Sequence, residues 1–217
     1  MQRLTQVLVD AGVAGRVLRD RQFAVWLEGS AQRRYNLVNR ALRAGELVRL
    51  ARGVYVVHPD IAGSLPHAFV VAQNLRPGSF VSFESALAWH GCVPEAVRLQ
   101  MSVVPGRRKA EYSVPLFGQF RFVPLALRSG WGLVGVRRVE LSGGIALVAD
   151  PLRALLDLVC YRKLEPDSLA RFLEGLRLEP ECLTDVHSAD LSRLQAVYRR
   201  RMMRVIDEMD TLWSGHD

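Results

Sequence analysis

Cysteine is scarce in this chain, lysine scarcer still, and no long apolar run occurs. Cys92, Cys160 and Cys182 are odd in number, widely spaced and form no CxxC pair. Neither a disulfide framework nor a zinc knuckle is expected from them. No segment approaches the roughly 18 consecutive apolar residues of a membrane-spanning helix. The opening Met1-Gln2-Arg3-Leu4-Thr5 lacks the charged-then-apolar layout of a secretion signal. The expectation is a cytoplasmic protein with no membrane partner.

Signatures of catalysis are missing as well. The chain holds no GxxxxGK[ST] loop and no GxGxxG after a predicted strand. His58, His67, His90, His187 and His216 have neither a histidine four residues on nor a carboxylate at ligand spacing. A two-metal nucleotidyltransferase needs spaced aspartates after a Gly-Ser turn, and Gly63-Ser64 and Gly130 lack them. Ser82-Phe-Glu-Ser85 reads as helix-capping chemistry, because a serine nucleophile needs a base in reach and His90 lies at the far end of the same predicted helix. Cys92 stands close to His90 in sequence, but a thiolate–imidazole pair requires convergence in space. No catalytic residue, metal ligand or cofactor is predicted.

What the chain does have is arginine. Its 217 residues are 49% hydrophobic, which allows a packed core and room for two small domains. The net charge is +7 and the isoelectric point about 9.9, suited to a polyanionic partner. Among 29 basic residues only Lys109 and Lys163 are lysine. A GC-rich genome would enrich arginine everywhere, so the distribution decides more than the sum. Residues 1–60 carry +5, residues 61–97 carry −1, residues 98–138 carry +7 and residues 139–217 carry −4. The two basic blocks are the places to look for nucleic acid.

In the first block, residues 2–11 put Leu4, Val7 and Leu8 on one helical face, and Gly12 ends the turn. A second helix is predicted over Leu18 to Leu27, with Phe23, Trp26 and Leu27 inward. Ser30 suits the N-cap of a third, from Ala31 to about Ala44. Its apolar stripe Ala31, Tyr35, Val38 and Leu42 would dock on the first two. The opposite face carries Arg33, Asn36, Arg40 and Arg43, with Arg34 and Asn39 beside it. Arginine and asparagine are the side chains that read base edges in a major groove, although a charged helix face is most often only a solvated one. Leu47 to Leu50 and Val54 to Val57 then read as strands around an Ala51-Arg52-Gly53 turn, and Pro59 closes the unit. Helices followed by a hairpin with arginine at its tip is the layout of a winged helix-turn-helix. Arg33, Asn36, Asn39 and Arg40 are candidates for base readout, Arg34 and Arg43 for positioning the helix, and Arg49 and Arg52 for gripping phosphates.

Three segments carry a resemblance. Arg43-Ala-Gly-Glu-Leu-Val-Arg-Leu-Ala-Arg-Gly-Val-Tyr55 resembles the wing of the AbiEi antitoxin family. Arg76-Pro-Gly-Ser-Phe-Val-Ser-Phe-Glu-Ser-Ala-Leu-Ala-Trp-His-Gly91 is similar to that family's strand leading into an S-x-E-S-A-L-x-x-H-G helix. Ile145-Ala-Leu-Val-Ala-Asp-Pro-Leu-Arg-Ala-Leu-Leu-Asp-Leu158 is similar to its A-x-P-x-x-A-L-x-D helix start. They fall in the family's order and span about half the chain; nothing after about residue 165 matches. The resemblance implies an autoregulating repressor of a toxin–antitoxin operon whose partner gene encodes a nucleotidyltransferase-like toxin. It also implies a C-terminal domain that contributes to DNA binding, and a toxin countered without direct contact, a point on which related systems differ.

Beyond residue 60 a helix is expected from His67 to Leu75, with Ala68, Val71, Ala72 and Leu75 inward. Ser79 to Ser82 reads as a short strand, and Ser82 as the cap of a helix from Phe83 to His90. Strands follow at Val97 to Val104, Phe117 to Leu125 and Leu133 to Leu141. Arg107, Arg108, Lys109, Arg121, Arg137 and Arg138 fall in or between them. They would give a sheet rim that tracks a phosphate backbone, or charges that protect a sheet edge. Asp150 caps and Pro151 starts a helix with Leu152, Leu155, Leu156 and Val159 inward. Pro166 to Leu176 reads as another. A long amphipathic helix from Ala189 to about Trp213 carries the stripe Leu191, Leu194, Tyr198, Met202, Val205, Met209 and Leu212, for packing on its own domain or as a dimer seam.

The expected protein is therefore α+β, with a winged helix-turn-helix over 1–60 and a mixed helix–sheet domain over 61–217. The expected partner is duplex DNA at an inverted repeat, in its own promoter if autoregulating, bound by a monomer or weak dimer. Two other classes remain: an antitoxin acting mainly by binding its toxin, and a nuclease or transferase domain recruited by the winged helix, for which no carboxylate cluster can be nominated.

Overall fold

A computed structural model of the chain describes residues 3–94, 98–183 and 186–214. Gln2, Val97 and His216, which the sequence reading used, lie outside the described residues. The secondary structure is mixed α+β. Backbone packing divides the described residues into two units. One draws on Met1–Pro77, Tyr112–Gln119 and Val139–Ala146, the other on Gly78–Glu111, Phe120–Arg138 and Leu147–Asp217.

The first unit opens with α1 (Leu4–Asp10), β1 (Leu18–Arg19), a 3-10 turn at Asp20–Gln22 and α2 (Phe23–Trp26). It continues with α3 (Ala31–Arg43), β2 (Leu47–Ala51), β3 (Val54–Val57), α4 (Pro59–Ala62) and α5 (Ala68–Leu75). The helix expected over Leu18 to Leu27 is confined to α2. Leu18 and Arg19 pair instead with Tyr55 and Val54, giving a three-stranded antiparallel sheet in the order β1-β3-β2. The added strand satisfies backbone groups along an edge of β3 that a helix there would leave unpaired. Pro59 does not close the unit but begins α4. The core gathers Leu4, Leu8, Leu18, Phe23, Leu27, Val38, Leu47 and Tyr55, with Phe23 and Tyr55 rings 5.8 Å apart.

The later elements are β4 (Phe80–Val81), α6 (Phe83–Trp89), β5 (Leu99–Val103), β6 (Ala110–Val114), β7 (Gly118–Val123), β8 (Val136–Leu141) and β9 (Gly144–Ala149). After these come α7 (Pro151–Arg162), α8 (Pro166–Leu176), α9 (Ser188–Gln195) and α10 (Arg201–Ser214). A six-stranded sheet runs in the order β6-β7-β5-β4-β9-β8. β4 lies antiparallel to β5 and parallel to β9. The sequence reading missed β6, whose alternation of Ala110, Tyr112 and Val114 with Glu111 and Ser113 lasts only five residues, and β9, whose apolar run it took as the approach to α7.

The second unit is built around a buried polar cluster. Asp157 accepts from Arg153 Nε at 3.0 Å and from the Tyr198 hydroxyl at 2.7 Å through Oδ1, and from Ser82 Oγ at 2.7 Å through Oδ2. Arg153 and Asp157 are fully buried, and the Arg153 guanidinium also donates to the Val134 carbonyl and lies 5.0 Å from the Phe80 ring centre. Burial opposes charge on Arg153, but the carboxylate beside it prevails and raises its pKa. Burial and the same carboxylate hold the Tyr198 phenol protonated well beyond its usual range.

This cluster corrects several expectations. Ser82 does not cap α6, because its hydroxyl is spent on Asp157. Ser85 accepts from the Met101 amide at 2.8 Å and donates to the Leu99 carbonyl, fastening α6 to β5. Glu84 pairs with Arg162 at 3.0 Å. Asp150 likewise makes no side-chain cap; its carboxylate meets Arg137 at 2.6 Å, while Pro151 does occupy the first turn of α7. The expected long C-terminal helix is broken into α9 and α10. Tyr198 leaves the helical path to form a β-bridge with Leu127, and Val197 accepts from the Arg128 amide at 2.8 Å. Leu191, Leu194, Tyr198, Met202, Val205 and Met209 are buried within the unit, which leaves no continuous seam on a surface helix. The cysteines also depart from expectation: Cys92 and Cys182 form a disulfide with Cα atoms 5.1 Å apart, so Cys92 offers no thiolate to His90.

Candidate nucleic-acid interface

The side chains singled out in the first basic block converge on α3 and the β2–β3 hairpin. Ser30 caps α3 as expected, its hydroxyl accepting from the Arg33 amide at 3.2 Å. The helix docks through Val38 and Ala41, with Leu37 and Leu42 half-buried beside them. Ala31 and Tyr35, assigned inward from the sequence, are exposed, Tyr35 at 63%. The four-three-four stripe had mistaken the seam. The tighter grouping Leu37-Val38 and Ala41-Leu42, centred one turn further along, marks it.

The outward face then carries Gln32, Arg33, Tyr35, Asn36, Arg40 and Arg43. Arg33, Asn36 and Arg40 line one groove of about 660 Å³, which Glu28 shares as a carboxylate. Tyr35, Asn36, Asn39, Arg40 and Arg43 frame a smaller hollow of about 420 Å³ on the same helix. Gln32 donates to Asn36 Oδ1 at 3.1 Å. Asn39 is half-buried. Arg34 is not on this face: it is half-buried and its guanidinium donates to the Gly29 carbonyl, tying the start of α3 to the preceding turn.

The hairpin turn at Gly53 is held by Asp20, a residue the sequence reading did not credit. Asp20 donates its amide to the Gly53 carbonyl at 3.1 Å. Gly53 has φ +71°, and a Cβ there would stand 2.8 Å from Asp20 Oδ2, so glycine is required on both counts. Arg52 beside it is exposed at the tip. Arg49 projects from β2 with its guanidinium carbon 5.8 Å from the centre of the Tyr55 ring. Burial, then a hydrogen bond to Asp20, raises the Tyr55 pKa, keeping that phenol neutral in this setting. Tyr35 and Gln32 are the functional candidates that sequence reasoning missed.

The second basic block is not brought together. Arg107, Arg108 and Lys109 are exposed on the β5–β6 loop, and Arg121 on β7 pairs with Glu111 at 2.8 Å. Arg137 and Arg138 stand on β8, at the other edge of the sheet from β6 and β7. Five strand spacings of about 4.8 Å separate those edges, too far for one continuous rim. Arg137 is engaged with Asp150.

Among the described residues no group of three or more His, Cys, Asp or Glu could hold a metal ion. No helix among them is long and apolar enough to cross a membrane. No family model matches the chain, and no curated protein matches it. Among solved structures, the RV2827C protein from Mycobacterium tuberculosis is similar at 14% identity and a TM-score of 0.42, over 95% of this chain and 75% of that one. A likeness at that score supports no argument about fold or role. The AbiEi resemblance rests on the three segments quoted above.

Proposed function

We propose that the chain is a sequence-specific, duplex-DNA-binding transcriptional repressor whose N-terminal residues act as a winged helix. The observation that carries this reading is the outward face of α3. Arg33 and Arg43 on that face, and Arg52 at the hairpin tip, have no acidic partner among the described residues. A helix of 13 residues spans about 20 Å, the length needed to lie in a major groove. The element order, helix, strand, helix, helix, strand, strand, with β1 pairing to the hairpin, is the order a winged helix requires. Asn36 and Arg40 offer the amide and guanidinium that match adenine and guanine edges. Arg49 and Arg52 supply phosphate contacts beside the groove. The antitoxin role, with autoregulation of an operon encoding a nucleotidyltransferase-like toxin, rests on the three-segment resemblance alone.

Two substitutions test the docking. Arg40→Ala should cost about 1–3 kcal/mol of binding to the specific site and relax preference at one base position. Arg52→Ala should weaken specific and scrambled duplexes alike and lower the salt slope by about one. Both are read by fluorescence anisotropy on the chain's own upstream region and a scrambled control. Unchanged affinity in both variants contradicts this docking.

A further inference from the structure

The second unit contains a cleft of about 820 Å³ between the β5–β6 loop, β7 with the segment after it, the end of α7 and the start of α10. Its polar rim is basic: Arg107, Lys109, Arg121, Lys163, Arg199 and Arg201 line it with a single carboxylate, Glu111. Two of the six cations are already engaged, Arg121 with Glu111 at 2.8 Å and Arg201 with Glu165 at 3.2 Å. The other four, Arg107, Lys109, Lys163 and Arg199, are exposed and have no hydrogen bond or ion pair from their side chains among the described residues. They come from three separate stretches of chain, so their convergence on one hollow is not a local charge run. The wall is apolar, formed by Val123, Pro124, Leu125 and Met202, with the half-exposed ring of Tyr161 beside it. Tyr161 is fixed edge-on to Phe83, ring centres 5.5 Å apart.

We propose that this cleft binds a nucleoside polyphosphate, with the phosphates among Arg107, Lys109, Lys163 and Arg199 and the base against the apolar wall and Tyr161. A bare phosphate needs only the cations. An apolar wall of this size beside them suits a ligand that is anionic at one end and flat and weakly polar at the other. Four unpaired cations answer a chain of phosphates that carries roughly one charge per bridging group and up to two at its end. Duplex DNA spreads its charge at about one per 1.7 Å of axis along a convex rod, whereas these cations converge on a cavity of small-ligand size. The site binds without reacting. Its carboxylate is held by Arg121, leaving none to hold a divalent cation, and burial pushes the Cys160 thiol in the wall up to about 11, so it carries no thiolate. Arg107 and Lys109 thereby acquire a ligand other than the duplex expected of their block.

The test is calorimetric titration of the full chain, in EDTA and at fixed ionic strength, with ATP, adenosine, inorganic tripolyphosphate and a 20-base-pair duplex as probes. ATP should bind at micromolar concentration, with adenosine and tripolyphosphate each at least tenfold weaker. The double variant Lys163→Gln, Arg199→Gln should lose at least tenfold for ATP with an unchanged melting temperature. Tripolyphosphate binding as tightly as ATP, or a double variant that binds ATP normally, overturns the proposal. A duplex that displaces ATP and itself weakens in the double variant also overturns it, by assigning the cleft to the DNA backbone. Neither Lys163 nor Arg199 belongs to the α3 face, so Arg40→Ala should leave ATP binding intact and the two readings fail separately.

Discussion

Arg33, Arg43 and Arg52 differ from Arg121 and Arg137 in one respect that sequence does not display: whether a carboxylate is in reach. Arg121 and Arg137 each meet an acid, at 2.8 Å and 2.6 Å, and so have less charge to offer a phosphate. The arginine with the largest structural role, Arg153, was not among the sequence candidates at all. With Asp157 it forms a fully buried ion pair; Ser82 and Tyr198 donate to the carboxylate, the Val134 carbonyl accepts from the guanidinium, and Arg153 Nη2 alone has no partner among the described residues. Removing one partner leaves an uncompensated buried charge. Asp157→Ala should therefore destabilise the protein by about 3–5 kcal/mol in urea denaturation; a loss below about 1 kcal/mol would contradict the account of this cluster. The two acids and two hydroxyls that the sequence placed at helix starts show the same limit. Asp150, Ser82, Glu84 and Ser85 all have the residue type of a cap, yet each is drawn to a distant partner. Capping preference is a local term, and here partners distant in sequence outweigh it: a buried carboxylate for Ser82, backbone groups of β5 for Ser85 and arginines for Asp150 and Glu84.

At the scale of elements, what was legible followed from local chemistry. The start of α3 at Ser30, the glycine turn between β2 and β3, and the start of α8 at Pro166 stand where capping and breaking residues put them. What was not legible depended on partners far along the chain. β1 is two residues of Leu18-Arg19 whose strand character comes from pairing with β3. The break between α9 and α10 comes from the bridge of Tyr198 to Leu127 and its bond to Asp157, in a stretch whose apolar periodicity is unbroken. The Cys92–Cys182 pair joins the segment after α6 to the 3-10 turn at Pro180–Leu183, across a separation of 90 residues. Closing a loop of that length should stabilise the second unit by about 4–5 kcal/mol through the entropy it removes from the unfolded chain. Reduction should lower the melting temperature, and maleimide labelling of the unreduced protein unfolded in urea should find Cys160 as the one reactive position among the three. Labelling of all three without a reductant contradicts the pairing.

For the molecule as a whole, uneven charge was the most useful reading and also the one most altered by structure. The two basic blocks along the chain become three places in space: the α3 face with its hairpin, a cleft in the second unit, and the β8 edge. Of the three, the first sets Arg33, Arg43 and Arg52, which have no acidic partner among the described residues, beside Asn36, an amide of the type that matches an adenine edge. That face makes the central claim, and its physical signature is counterion release on binding DNA. The most direct measurement is the affinity of the full chain for its own upstream region and for a scrambled duplex across a salt series. Preference for the upstream region, with affinity falling on the order of a thousandfold between about 50 and 200 mM salt, is the predicted result for six or more phosphate contacts. Equal binding of both duplexes at every salt concentration, or a flat salt dependence, would contradict it.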